Sequence, residues 1–185
     1  MPSTRIRLSD RSPDFSVAVE IEATADELLI DFLRATDWPP VDSAQERMAL
    51  PGFLLIAEDD SHHAVGFAHV LELDGFIHLE QLAVRPANGR RGVGRMLVDA
   101  VLTEAAARGY SEITLRAYRN VPWNAPFYET CGFSRSEPHS AFHLRLLDVE
   151  TRLELDKHGE RIQMTAQLGP TGRRTAPETG PKLEP

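Results

Sequence analysis

Apolar residues recur along this chain with two spacings, and the change between them marks out its elements. Residues 6–8 alternate as a short first strand. Ser12 before Pro13 has the form of an N-cap with proline at the first helical position. Thr24-Ala25-Asp26-Glu27 has that of a capping box ahead of Leu28, Leu29, Phe32 and Leu33. Two short helices are therefore expected before Trp38-Pro39-Pro40, which breaks helical structure. Pro51-Gly52 opens a strand over residues 53–57, closed by Glu58-Asp59-Asp60-Ser61. A strand over Ala64–Leu73 meets another over Phe76–Val84 through Asp74-Gly75, a strong hairpin signal. Val93, Leu97, Val101 and Ala105 form a helical stripe that Gly109 closes. Ile113, Leu115 and Ala117 alternate as a strand, and Ala125–Thr130 reads as a short helix before Gly132. Phe142, Leu146, Val149 and Leu153 fit a helix, while Phe142, Leu144 and Leu146 fit a strand equally. Residues 161–168 alternate through Ile162, Met164, Ala166 and Leu168 as a closing strand. Interleaved elements of this kind predict an α/β protein, a mixed sheet with helices packed on it.

The length of 185 residues allows one domain and a remainder. Hydrophobic residues at 42% and charged residues at 26% are globular values, which excludes wholesale disorder. The expected domain covers residues 1–168. Residues 169–185 hold three glycines and four prolines with almost no apolar side chains, and are expected to be a disordered tail. No apolar run approaches the ~20 residues that span a bilayer, and the first eight residues lack the apolar stretch of a secretory signal. The single cysteine, Cys131, has no intramolecular disulfide partner, and no Cys/His cluster has zinc spacing. The expectation is a cytoplasmic protein with no metal and no membrane partner.

Charge sharpens the picture locally. Lys plus Arg number 20 against 28 Asp plus Glu, a net charge of −8, which argues against a nucleic-acid partner. Yet Arg85, Arg90, Arg91 and Arg95 fall together with no acid among them, suggesting one site for a small polyanion. They lie in a strand, a Gly/Arg-rich turn and a helix running from Leu79 to Arg95. Glycines let a ligand approach the backbone, helix N-terminal amides bind phosphate oxygens, and arginines add charge-assisted contacts. An ordinary strand-to-helix connection has the same outline. A G-x-x-x-x-G-K-[ST] loop is excluded because no lysine follows, and Leu97 stands where a dinucleotide fingerprint needs its third glycine.

Two motifs in this chain resemble the GCN5-related N-acetyltransferase (GNAT) superfamily. Gly89-Arg90-Arg91-Gly92-Val93-Gly94, after Leu82-Ala83-Val84-Arg85-Pro86, is similar to that family's Q/R-x-x-G-x-G/A loop, with Gly89 at the Gln/Arg position. Asn124-Ala125-Pro126-Phe127-Tyr128-Glu129-Thr130-Cys131-Gly132-Phe133 is similar to its N-x-x-A-x-x-F-Y-x-x-x-G-F run, with Val121 at the usual Asn position. The resemblance extends over residues 6–168 and implies a mixed six- to seven-stranded sheet flanked by helices. It implies acetyl-CoA as cosubstrate, with pantetheine along Leu82, Ala83 and Val84. The pyrophosphate would lie against Gly89, Arg90, Arg91, Gly92, Val93, Gly94 and Arg95, with Asn124 and Phe127 also at the cofactor. The implied activity is transfer of acetyl to a primary amine of a small molecule or peptide, by direct attack. An acyl-CoA-binding sensor without turnover on the same fold is the alternative, and a homodimer is compatible with either.

Within that frame Glu80 and Tyr128 are the expected catalytic residues. The strand over Phe76–Val84 carries apolar residues on both faces and reads as central, where a carboxylate is costly without a role. Simple alternation puts His78, Glu80, Leu82 and Val84 on one face and Ile77, Leu79, Gln81 and Ala83 on the other. The resemblance makes Glu80 the base, by way of water, with an ion pair as its structural reading, and makes Tyr128 the donor to the departing thiolate. His78 is the second candidate base. His62 and His63 are expected in a solvated turn, Cys131 as a small buried residue, and Trp123 at the border of the cleft. Asp26, Glu27 and Asp31 read first as partners of a helix dipole and second as charge for a cationic acceptor, whose identity the sequence leaves open.

Overall fold

In the computed structural model, which describes residues 4–9 and 12–169, seven strands form one sheet in the order β1-β2-β3-β4-β5-β7-β6. They are β1 (Arg5–Leu8), β2 (Gly52–Glu58), β3 (Ala64–Leu73), β4 (Phe76–Val84), β5 (Glu112–Tyr118), β6 (Ser134–Ser136) and β7 (Arg161–Gln167). Only β4 and β5 pair in parallel; every other neighbour is antiparallel. Asp74 and Gly75 both take positive φ, 55° and 81°, which closes the β3–β4 hairpin with the twist the strands require. The expected tail lies outside the described residues apart from Gly169.

The first helical region differs from expectation. One continuous helix, α1 (Pro13–Leu33), replaces the two short ones. Thr24 sits inside it, and its hydroxyl donates to the Glu20 carbonyl at 2.6 Å instead of capping a new helix. Burial of Ala18 and Ile21 against Leu54, Ile56, Phe67 and Ala83 holds the helix together across that point. A capping box does occur further on. Ser43 accepts the Glu46 amide at 3.2 Å and Glu46 accepts the Ser43 amide at 2.8 Å, starting α2 (Ala44–Ala49).

Helices α3 (Val93–Ala107) and α4 (Ala125–Thr130) cover the opposite face of the sheet. Val93, Leu97, Val98, Val101, Ala105, Ala125 and Tyr128 pack there on Leu55, Val70, Leu79, Leu115 and Met164. Between β6 and β7 the chain makes α5 (Ala141–Arg152), so the segment that fits both periods is a helix. Ser140 caps it by accepting the His143 amide at 3.2 Å, and Phe142 stacks on Phe76 with centroids 5.6 Å apart. Phe76 lies on the α1 face of β4, so α1, α2 and α5 share one side of the sheet. Strand β6 was not expected, because Ser134-Arg135-Ser136 has no apolar alternation. It exists through its ladder to β7, reinforced by a 2.8 Å bond between the Ser136 and Thr165 hydroxyls.

Gly52, at the start of β2, has φ 144°, and a Cβ there would lie 1.9 Å from the Val70 carbonyl oxygen of β3. Gly52→Ala is expected to destabilise the fold by about 3 kcal/mol or more, read from urea unfolding monitored by circular dichroism.

Candidate functional site

Strands β4 and β5 touch at only two register positions, His78 with Thr114 and Leu79 with Leu115. Beyond them the strands part, although β4 runs on to Val84 and β5 to Tyr118. The edge of β4 over residues 82–84 therefore has no ladder partner on the β5 side. Sheet backbone left open in this way is a template for an extended, amide-bearing ligand.

A bulge marks the same point. Val70 pairs with Leu79 and His69 with Gln81, which leaves Glu80 as an extra residue in β4. The expected sharing of faces is corrected by it. Leu82 and Val84 pack with Ile77 and Leu79 on the α3 side, while Gln81 and Ala83 turn to the α1 side with His78. Glu80 itself emerges at the fork, its side chain 37% exposed on the floor of the cleft. Crowding by protein raises its pKa above the ordinary carboxylate value, with Arg161 opposing. His78, by contrast, is fully buried. Desolvation, helped by His143, Arg116 and Arg161, pushes its pKa down to about 3. A neutral imidazole buried beneath the cleft is not a base that meets an acceptor directly.

Two ionic clusters that the sequence did not bring together wall the cleft. On one side Glu22 of α1 pairs with Arg47 of α2 and accepts from Gln81 Nε2 at 2.6 Å. Burial raises Glu22 to about 7 even with Arg47 opposing. Asp26 accepts the Trp38 indole N–H at 3.1 Å. On the other side Glu150 of α5 accepts from Arg116 Nη2 at 2.6 Å and from Arg161 Nε at 2.7 Å. Burial disfavours the Glu150 carboxylate, but these two arginines hold its pKa below the usual value. Arg161 also lies over the Tyr118 ring at 4.7 Å. Trp123 stands at 46% exposure against Phe32, with centroids 5.0 Å apart.

The Gly/Arg turn behaves as a loop of unclaimed amides. Pro86–Asn88 makes a 3-10 turn, Arg90 and Gly92 take positive φ of 58° and 83°, and Met96 N–H donates to the Gly92 carbonyl. Among the described residues, no protein acceptor takes the amides of Arg90 to Arg95 at the start of α3. Their partial positive charge faces outward. The four arginines divide in use. Arg85 Nε donates to the Ala64 carbonyl at 3.0 Å, and Arg95 Nη2 donates to the Thr130 carbonyl and hydroxyl at 2.7 Å each. Arg90 and Arg91 stand on exposed positions. A Cβ on Gly94 would lie 3.4 Å from the Phe127 ring, so Phe127 packs directly on the loop's last glycine.

Asn124 is used inside the fold: its Oδ1 accepts the Tyr118 amide at 2.7 Å, tying the end of β5 to α4. Tyr128 is 8% exposed, between Phe127 and Phe133. Among the described residues its hydroxyl has no hydrogen-bond partner, and burial raises its pKa, which keeps the proton on oxygen. Cys131 is buried and its thiol is pushed up by burial, as expected for a packing residue. His62 and His63 are exposed in the β2–β3 turn.

Glu150 compensates two part-buried guanidinium groups at once. Glu150→Ala is expected to cost about 3 kcal/mol or more in urea unfolding, because Arg116 and Arg161 would be left charged without their partner.

Residues 51–135 match the family model described as an acetyltransferase (GNAT) domain. A mycothiol acetyltransferase of Clavibacter michiganensis subsp. michiganensis is 33% identical over 160 residues, which is 81% of this chain and 49% of that protein. The chain spans about half the length of the curated relatives it matches. In fold it is similar to the ribosomal-protein-S18-alanine N-acetyltransferase of Escherichia coli, with TM-score 0.64 and 17% identity over 94% of this chain and 99% of that one. The PaiA N-acetyltransferase of Thermoplasma acidophilum, solved in complex with coenzyme A, gives TM-score 0.63 and 14% identity over 89% and 99%. With the forked sheet, the amide loop and these matches together, the chain belongs to the GCN5-related N-acetyltransferase superfamily.

Proposed function

We propose that the chain is an acetyl-CoA-dependent N-acetyltransferase acting on a primary amine of a small molecule or peptide by direct attack. The observation that carries this reading is the fork: one opening holds an unpaired strand edge, a carboxylate at a bulge and, beyond the strand, a loop of free amides. Residues 82–84 offer backbone groups to pantetheine amides. The amides of Arg90 to Arg95, with Arg90 and Arg91, suit a pyrophosphate. Acetyl-CoA supplies an activated thioester; the remaining work falls to the chain. Glu80, its pKa raised by burial, takes a proton from the ammonium so that nitrogen can attack. Tyr128, protonated and without a protein partner among the described residues, donates to the sulfur as thiolate charge develops. The match to a mycothiol acetyltransferase and the coenzyme A complex of a structural neighbour support the donor and the reaction class.

Gly92 has open space where a Cβ would stand, and aspartate tolerates its left-handed backbone better than most residues. Gly92→Asp is therefore expected to fold yet lose acetyl-CoA binding in calorimetry, because a carboxylate would face the pyrophosphate. Unchanged affinity would remove the loop from the site.

Thiol release can be followed with acetyl-CoA and glucosamine 6-phosphate, S-methylcysteine amide, spermidine or a peptide with an N-terminal alanine. On the best of these, Glu80→Gln should lower turnover by ~10²–10⁴ with acetyl-CoA affinity retained, and Tyr128→Phe by ~10-fold or more. The wild-type rate should rise with pH through the Glu80 ionisation, above the ordinary carboxylate value of 4.5, and Glu80→Gln should flatten that limb. Tight acetyl-CoA binding without thiol release on the panel would favour a binding module instead.

A further inference from the structure

Below Glu80 runs a file of buried polar side chains that the reaction as described leaves unused. Glu80 Oε2 lies 3.7 Å from His78 Nε2. His78 Nδ1 is 2.8 Å from Thr114 Oγ1, and Thr114 Oγ1 is 3.4 Å from His143 Nε2. His143 Nδ1 is in turn 3.0 Å from Ser140 Oγ. His78, Thr114 and His143 are 1%, 2% and 0% exposed, whereas Ser140 is partly exposed and His139, its ring 5.1 Å from that of His143, is exposed. The file begins on the cleft floor, crosses from β4 to β5, and surfaces at the N-terminus of α5.

Its surroundings are apolar. The Phe76 and Phe142 rings stack on each other and lie within 5.2–5.8 Å of the His78 and His143 rings. Packing alone would favour aliphatic or aromatic residues at such positions, because buried polar groups gain their keep only when each is satisfied. From His78 Nδ1 to Ser140 Oγ neighbouring polar atoms lie 2.8–3.4 Å apart, and the 3.7 Å gap from Glu80 to His78, longer than a hydrogen bond, must shorten for a proton to cross it. Both histidines are held neutral by burial, so each can take a proton on one nitrogen while giving one from the other.

We propose that His78, Thr114, His143 and Ser140 form a proton relay that carries the proton collected by Glu80 out to solvent at the start of α5. This rests on the reading of Glu80 as base. Acetylation of an ammonium releases two protons from nitrogen: one ends on the coenzyme A sulfur through Tyr128, and one must leave the protein. With both substrates in the cleft, the open side of Glu80 is covered and the file beneath it is the remaining path. With the 3.7 Å gap closed to hydrogen-bond distance, protonated Glu80 donates to His78 Nε2 as His78 Nδ1–H passes its proton to Thr114. The Thr114 hydroxyl proton moves to His143 Nε2, and His143 Nδ1–H passes its proton to Ser140, whose own proton goes to water. The charge moves one step at each link, and the file resets by turning over its two tautomers and hydroxyl rotors.

The relay requires the two rings to hold matching tautomers, both protonated on Nδ1 or both on Nε2. Side-chain nitrogen NMR of the histidine-labelled full chain reads this directly, with no substrate present. Matching neutral tautomers at pH 7 are expected; His78 on Nδ1 with His143 on Nε2 would point two donors at Thr114 and overturn the relay. In turnover with the panel amine that gives the fastest thiol release, Thr114→Val keeps shape and removes the hydroxyl. It should lower kcat by ~10-fold or more with KM for both substrates unchanged, and Thr114→Ser should restore kcat. Equal kcat in wild type and Thr114→Val, with Glu80→Gln impaired, would overturn the relay and leave the base standing. Full activity in Glu80→Gln would instead overturn the base, and the relay with it.

Discussion

Two paired residues on each of β4 and β5, and no more, set the geometry on which the rest of the site depends. A parallel ladder that continued would close the sheet and satisfy the β4 edge internally. Because it stops after Leu79 and Leu115, the strands diverge with their own twist, and backbone that would otherwise be saturated remains available. The bulge at Glu80 falls at the branching point. An extra residue there rotates the rest of β4 by one position, so that Leu82 and Val84 enter the α3 core while Glu80 stands in the opening. Without it, Glu80 could not lie in the cleft while the residues after it packed on α3.

The cleft is built from charges that are mostly compensated before any ligand arrives. Glu22 with Arg47 is a buried ion pair and Glu150 with Arg116 and Arg161 a part-buried one, and such pairs stabilise a fold little compared with apolar packing. Their merit lies in orientation. They hold fixed charges around the Glu80 carboxylate, whose proton affinity burial raises while Arg161 opposes. The arginine cluster shows the same economy in another form, since Arg85 and Arg95 anchor the loop to β3 and α4 while Arg90 and Arg91 stay at its surface.

Much of this was legible in the sequence, and the failures have physical causes. Helix α3 and strands β5 and β7 follow from periodicity, β2 from an apolar run between breakers, β3 and β4 from the turn chemistry of the Asp-Gly hairpin, and α4 from its place before Gly132. Strand β6 has no periodicity to read, because a three-residue edge strand is defined by its partner. Thr24-x-x-Glu27 carries a capping signature that tertiary burial of α1 overrode. The bulge was invisible for a deeper reason: alternation is a rule about paired strands, and an unpaired residue breaks it without changing composition. Tyr128 could be nominated from a motif, and Glu80 from its place on a strand that is apolar on both faces. Glu22, Arg116, Glu150 and Arg161 could not, since charged residues far apart in the chain look solvated until the fold places them in contact. His143 was hidden in the one segment whose period was ambiguous.

The division of the helices between the two faces of the sheet has a consequence for how the protein can change. Helices α3 and α4 hold the amide loop from one side, whereas α1, α2 and α5 wall the cleft from the other, and the sheet lies between them. Residues on opposite faces share few partners, so free-energy effects of substitutions on the two sides should add instead of coupling. The α5 connection joins β6 to β7 near the sheet's far edge, leaving the β4 ladder untouched by its length. Variation on that side can reshape what the cleft admits while the loop opposite keeps its conformation, so the two halves of the opening are free to drift at different rates.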